Sequence, residues 1–274
     1  MQIIPKNNNA LRRSILLYRR VRYRKGYGVH SPFVYNVITK VIEESGSYYP
    51  LSDIALTRLK LHYREEMVSY PDKRNKEKSK QQTIGHLVQK KAISPKQGAL
   101  LFKLTNYFKP VHILQIGTTM GLSSLYLTSY ASGLQCIALE SLPEFAAVAR
   151  ETLKEARNQI DLRVGNYLNL LPQAIQDLKQ LDFVFFNTPN DELSCSLLFN
   201  ECVKHVHQET VFVFVGIKSS AKMRKIWAAI CSHSDVTVTI DLYSLGIVFF
   251  NNKLHKRNYI TYYLILILWV QKKV

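Results

Sequence analysis

The sequence predicts an α/β fold: a Rossmann-like, doubly wound, mostly parallel sheet with an antiparallel closing hairpin and an N-terminal helical extension. Three observations predict it. Short apolar runs alternate with helical patterns along the second half of the chain. One run, Ile113-Leu114-Gln115-Ile116, ends on Gly117, and after Gly121 comes the helical stretch Leu-Ser-Ser-Leu-Tyr-Leu. A second strand, Gln135–Leu139, then ends at the acidic Glu140, nineteen residues after Gly121.

The strand, glycine turn and helix over residues 111–127 are the first half of a nucleotide-binding βαβ unit. Gly117 lets the backbone turn sharply and approach a ligand, because no Cβ stands in the way. The dinucleotide fingerprint is G-x-G-x-x-G, whereas this chain has G-x-x-x-G with Thr118 between the glycines, which argues against a pyrophosphate. An acid placed like Glu140 suits the two hydroxyls of a ribose. The alternative is an ordinary β-α turn.

The run Ile113-Leu114-Gln115-Ile116-Gly117-Thr118-Thr119-Met120-Gly121-Leu122-Ser123-Ser124 resembles the first motif of class I S-adenosylmethionine (SAM) dependent methyltransferases, especially the O-methyltransferase-like ones. Tyr27-Gly28-Val29-His30-Ser31-Pro32-Phe33-Val34-Tyr35 resembles the N-terminal signature of a bacterial subgroup. Thr239–Tyr243 with Gly246–Phe250 resembles its final hairpin, so the likeness covers most of residues 27–250. The resemblance implies SAM as cofactor, held by Gln115, Gly117, Thr118, Gly121, Glu140, Ser141 and Asn166. In that pattern the residue at Asn166 reads the adenine, and an Asn has both a donor and an acceptor to do so; an Asn in a turn is the competing reading.

At 274 residues the chain can bury a full core, and its 47% hydrophobic content is that of a globular protein. The organisation reads as an N-terminal helical extension (1–92), a SAM-binding Rossmann-like domain (93–255) and an apolar C-terminal tail (256–274). Four cysteines without a C-x-x-C pair, and a start without a sustained apolar run, predict reduced thiols in a cytoplasmic protein. Against 37 Lys and Arg stand 20 Asp and Glu, and the net charge of +17 favours an anionic partner. Nucleic acid or an anionic membrane surface are the macromolecular options beside a small-molecule substrate.

Residues 11–25 carry Arg12, Arg13, Arg19, Arg20, Arg22, Arg24 and Lys25 without an acid, with Leu11, Ile15, Leu16, Tyr18 and Val21 between them. Such a helix can lie on phosphates or on an anionic bilayer. The reading preferred from sequence is a helix packed on the domain with its arginines in water. Ser31-Pro32 opens a helix to about Glu44, and another runs from Ser52 to about Met67. Residues 70–82 turn highly charged after Pro71 and predict a mobile loop or, at most, an electrostatic arm. Ser94-Pro95-Lys96-Gln97 and Ser141-Leu142-Pro143-Glu144 are capping boxes that open further helices.

Strands follow at Asp161–Val164, Asp182–Asn187 and Val211–Val215, with closing strands at Val236–Ile240 and Gly246–Phe250. Helices are expected over about 191–206 and 220–230. The tail Tyr262–Val270 is too short for the roughly 20 apolar residues of a bilayer span. It can add a strand, pack as a helix or anchor at an interface; packing on the domain is preferred.

Methyl transfer to a hydroxyl needs the acceptor held in line and its proton removed, by a base or a metal. The resemblance implies acids after the strands ending near residues 187 and 215. Here stand Asn187-Thr188-Pro189-Asn190 and Gly216-Ile217-Lys218-Ser219, with Gln115 where the first motif usually has an acid. A hard cation prefers charged oxygen ligands, so no metal is expected. His30, Asn187 and Asp191 remain the candidates for catalytic roles, although a lone histidine at a helix start is more often structural. Two functions stay open: a metal-free SAM-dependent methyltransferase acting on a hydroxyl of a small molecule, and a catalytically inactive relative serving as a basic binding module.

Overall fold

The computed structural model describes residues 9–72, 79–187 and 192–263. Its centre is an eight-stranded sheet of order β10-β8-β9-β7-β6-β3-β4-β5, built from β3 (His112–Ile116), β4 (Gln135–Glu140), β5 (Ile160–Val164), β6 (Phe183–Phe186), β7 (Val211–Val215), β8 (Val238–Asp241), β9 (Leu245–Phe249) and β10 (Arg257–Ile260). Only β9 runs antiparallel to its neighbours, pairing Val211 with Phe249 on one side and Val238 with Phe249 on the other. The fold class read from the sequence is the one observed.

Alternation along each strand sorts the core into two layers. Ile113, Phe183, Phe185, Val211, Val213, Ile240 and Ile247 face one cluster. The helices over that face are α2 (Pro32–Val37), α3 (Tyr49–His62), α4 (Ile84–Lys90), α5 (Pro95–Phe108), α6 (Leu122–Thr128) and α7 (Pro143–Leu153). Leu114, Ile116, Val184, Phe186, Phe212, Phe214 and Val248 face the other, under α8 (Tyr167–Leu178), α9 (Glu192–Cys202) and α10 (Ala221–Ser232). Phe183, Phe185, Phe186, Phe212 and Phe214 are fully buried, and each such ring stabilises by roughly 2–3 kcal/mol. Phe186 and Phe214 stack with centroids 4.2 Å apart. All four cysteines are buried.

Several local expectations change. The charged stretch around residues 70–82 is flanked by a hairpin, β1 (Met67–Pro71) with β2 (Ser79–Thr83). Val68 and Tyr70 alternate inward, and the Tyr70 ring lies 5.2 Å from Phe145 of α7. The period-two signal Met-Val-Ser-Tyr was too short to stand out beside the charges, but an edge ribbon needs only one apolar face. α4, capped by Thr83, was not foreseen, nor was α8. The capping box at Ser94 is present, whereas Ser141 caps nothing: α7 starts after Leu142 with no side-chain cap.

The tail boundary at 256 also shifts. Arg257–Ile260 joins the sheet as β10, parallel to β8, with Tyr259 buried. Its exposed Arg257 and Asn258 fit an edge strand, which meets water on its unpaired side. Beyond Tyr263 the tail lies outside the described residues.

The basic N-terminal helix is α1 (Asn9–Arg22). Its arginines are not all in water: Arg19 is 6% exposed and pairs with Asp241 at 2.8 Å.

Candidate functional site

The carboxyl edge of the parallel strands is where an open α/β sheet binds ligands, and the glycine turn lies there. Gly117 has φ of +86° and donates its N–H to Leu139 O at 2.9 Å. A Cβ on it would stand 2.5 Å from Asn187 O, so the ends of β3, β4 and β6 close on a position that only glycine fills. Gly117→Ala is expected to destabilise by about 2 kcal/mol, through positive φ and that backbone contact. Urea denaturation measures it, and an unchanged midpoint would refute the close approach.

Glu140 is the second component. It is 3% exposed, and its carboxylate ties the two βα turns together. Oε2 accepts from the N–H of Thr118 at 3.2 Å and of Thr119 at 2.6 Å. Oε1 accepts from Ser141 N–H at 2.9 Å and Leu142 N–H at 3.1 Å. Burial pushes the carboxyl above the usual range, and the four N–H groups pull against that rise. The acid thus also serves the open N-terminus of α7, which explains why Ser141 is not needed as a cap.

The other expected cofactor residues divide. The Thr118 hydroxyl bonds with Ser124 Oγ at 2.9 Å, leaving its N–H on Glu140. Gly121, φ +81°, precedes α6 and packs against Ala149 and Thr152 of α7. Gln115 does not face the cleft. It is fully buried, donates to Gly117 O and Ser123 Oγ at 3.1 and 2.8 Å, and accepts from Ser124 Oγ at 2.8 Å. Its place on β3 points it at α6, so the amide is consumed in holding strand to helix.

Ser141 Oγ donates to the Tyr167 hydroxyl at 3.3 Å, and that hydroxyl also lies beside Gly117. Asn166 caps α8, its Oδ1 accepting from Leu168 N–H at 2.9 Å. The turn reading of Asn166 therefore holds for its oxygen.

Of the catalytic candidates, Asn187 follows β6 at the same edge, and its Nδ2 is buried with no hydrogen-bond partner among the described residues. Asp191 lies outside the described residues. His30 does not join them. It is exposed just before Ser31, the N-cap of α2. Phe33 of that helix meets Phe249 edge-on at 5.0 Å and lies 6.4 Å from Phe108. Phe249 pairs with the first residues of β7 and β8, so this end of α2 sits at the amino edge of the sheet, opposite Gly117.

Four groups whose roles the sequence did not show occupy the carboxyl edge beyond β7. Lys218 pairs with Asp241 at 2.7 Å, and Asp241 also holds Arg19. Tyr243, at φ +72° in the β8–β9 turn, lies within cation–π range of both Arg19 and Lys218, at 5.5 and 5.3 Å. Lys218 was legible only as an anomaly in its motif; the Arg19 contact spans 222 positions and leaves no local signal. Among the described residues no group of three or more His, Cys, Asp and Glu is gathered for a metal.

The comparisons with known proteins agree with this fold. Solved structures of similar fold include an O-methyltransferase from Bacillus cereus in complex with SAH, at TM-score 0.52 and 18% identity over 78% of this chain and 96% of that one. Another is an O-methyltransferase from Streptomyces achromogenes involved in tomaymycin synthesis, in complex with SAM, at TM-score 0.54 and 19% identity over 76% and 92%. A catechol O-methyltransferase of Niastella koreensis is 30% identical over 89 residues, 31% of this chain and 40% of that protein, so the chain spans well under two thirds of that relative. The family model described as O-methyltransferase matches residues 65–218, from the start of the β1–β2 hairpin region through the glycine turn and Glu140 to Lys218. A match that covers more than half of the chain, and that contains the glycine turn, Glu140, Asn187 and Lys218, places this protein in the O-methyltransferase family.

Proposed function

We propose that the protein is a SAM-dependent methyltransferase that transfers a methyl group to a hydroxyl of a small molecule without a metal. The observation that carries this reading is Glu140 reaching from β4 to the backbone of the Gly117–Gly121 bend. A buried carboxylate beside a glycine turn fits the sugar of an adenosyl group. Gly117 and Gly121 would leave space for it, the Thr118 backbone would flank it, and Ser141, Tyr167 and Asn166 would border its base. When bound, SAM supplies an activated methyl group on a sulfonium. The residues of this chain bind and orient the two reactants, which for an in-line displacement is most of the catalytic work.

Asn187 Nδ2, a buried donor without a partner among the described residues, is suited to orient the acceptor oxygen. Lys218, on the turn after the neighbouring strand, supplies positive charge that stabilises the acceptor oxygen as its proton passes to water. Burial pushes the Lys218 ammonium down from its ordinary range, although Asp241 pulls it back up. The metal-free reading rests on donor chemistry: the ends of β6 and β7 offer an amide and an ammonium where a hard cation prefers charged oxygen ligands.

One observation favours the second reading, a non-catalytic relative. Four backbone N–H groups already fill the acceptor sites of Glu140, and Gln115 is spent inside the fold. Calorimetric titration with SAM first separates a preserved cofactor pocket from a lost one. Saturable binding at a ratio of one per chain is expected, and its absence would overturn the enzyme assignment. Transfer of labelled methyl to a panel of small phenols and alcohols then tests catalysis itself.

A further inference from the structure

Ile15 and Leu16 of α1 are half-buried, but the helix also presents apolar side chains outward. The one residue of its described face that is fully buried is Arg19, held by Asp241 and by Thr261 O at 3.3 Å. Leu17, Tyr18 and Val21 point the other way, exposed by 62%, 63% and 76%. At 3.6 residues per turn, positions 14, 17, 18 and 21 share that outer face. Arg13 and Arg20 lie along one flank of the stripe and Arg22 along the other, all exposed. The short helical turn Arg24–Gly26 extends the surface with Arg24, Lys25 and the 68% exposed Tyr27. No acid occurs between residues 9 and 30.

We propose that this outer face of α1 docks on an anionic lipid bilayer, with Leu17, Tyr18 and Val21 entering the headgroup boundary and the flanking arginines on the lipid phosphates. An apolar stripe bordered by cations on both sides matches such an interface in depth and in charge. The other occupants match less well. A second copy in a symmetric dimer would bring the same arginines face to face, and like charges repel. A nucleic acid would use the arginines but leave the aliphatic Leu17 and Val21 with no base to stack on. The Arg19–Asp241 pair fixes the inner side of the helix to the sheet, so the stripe is presented from a rigid base.

Sedimentation of the full chain with vesicles tests this. Pelleting is expected with phosphatidylglycerol vesicles and not with phosphatidylcholine alone, and added salt should weaken it. The double variant Leu17→Glu/Val21→Glu should lose the binding while its thermal midpoint stays at the wild-type value. Neutralising Arg13, Arg20 and Arg22 to Gln should lower partitioning by about fivefold for each charge removed. The proposal is overturned if the chain does not pellet, or if the double variant pellets as well as the wild type, which would assign attachment to residues beyond 263. Tight RNA binding that vesicles do not displace, or a dimer abolished by the same double variant, would overturn it in favour of those partners.

Discussion

Glu140→Gln is expected to destabilise the protein by about 4 kcal/mol and to abolish SAM binding. The carboxylate accepts from four backbone N–H groups at 2.6–3.2 Å, two in each βα turn, while 3% exposed. A glutamine keeps the shape but offers one oxygen; its NH2 would face two N–H donors across a hydrogen-bond distance. Two buried donors are then left without an acceptor, and the turn that presents Gly117 and Thr118 loses its tie to α7. Urea denaturation measures the first effect and calorimetry in native buffer the second. A variant that is destabilised yet still binds SAM would confine Glu140 to a structural role. One that stays as stable as wild type would remove the bridge between the turns altogether.

The second large effect is at Asp241. Asp241→Asn should cost about 3 kcal/mol, because it leaves Arg19 and Lys218 without their shared anion at a largely buried site. The pH dependence carries a sign. Burial alone would push the Asp241 carboxyl up, but Arg19 and Lys218 outweigh it and hold the carboxyl below the usual range. The folded-state value is thus lower than the unfolded one. The pair's contribution is complete above the unfolded pKa, near 3.9, and is lost as pH falls through the folded one. Melting of wild type and variant across the pH range should show a constant gap near neutrality that narrows below about pH 4. A gap that persists at acid pH would show that the aspartate acts through packing and not through charge.

Much of the site was legible because its parts are short-range. Gly117 and Gly121 are required by backbone conformation, and Glu140 follows from its place at the end of the next strand. The residues that misled are those whose role depends on what lies across from them. Gln115 looked like a cofactor contact from its place in the motif, but strand alternation aims it at Ser123 and Ser124. His30 sits in a signature-like segment, yet Phe33 anchors that segment at the far edge of the sheet. Tyr167 borders the cleft through a contact with Ser141, 26 positions away, that no local pattern encodes.

By itself the sequence determined the βαβ frame, the two-layer core and the acid beside the glycine turn. These follow from hydrophobic period and from glycine's access to positive φ, both properties of a few adjacent residues. The tertiary structure alone decided which charged groups reach the carboxyl edge. It put Arg19 inside, Lys218 against Asp241, and Leu17 and Val21 outside. A charged side chain is buried only where a distant partner offsets its desolvation, and the partner's position is a property of the folded chain.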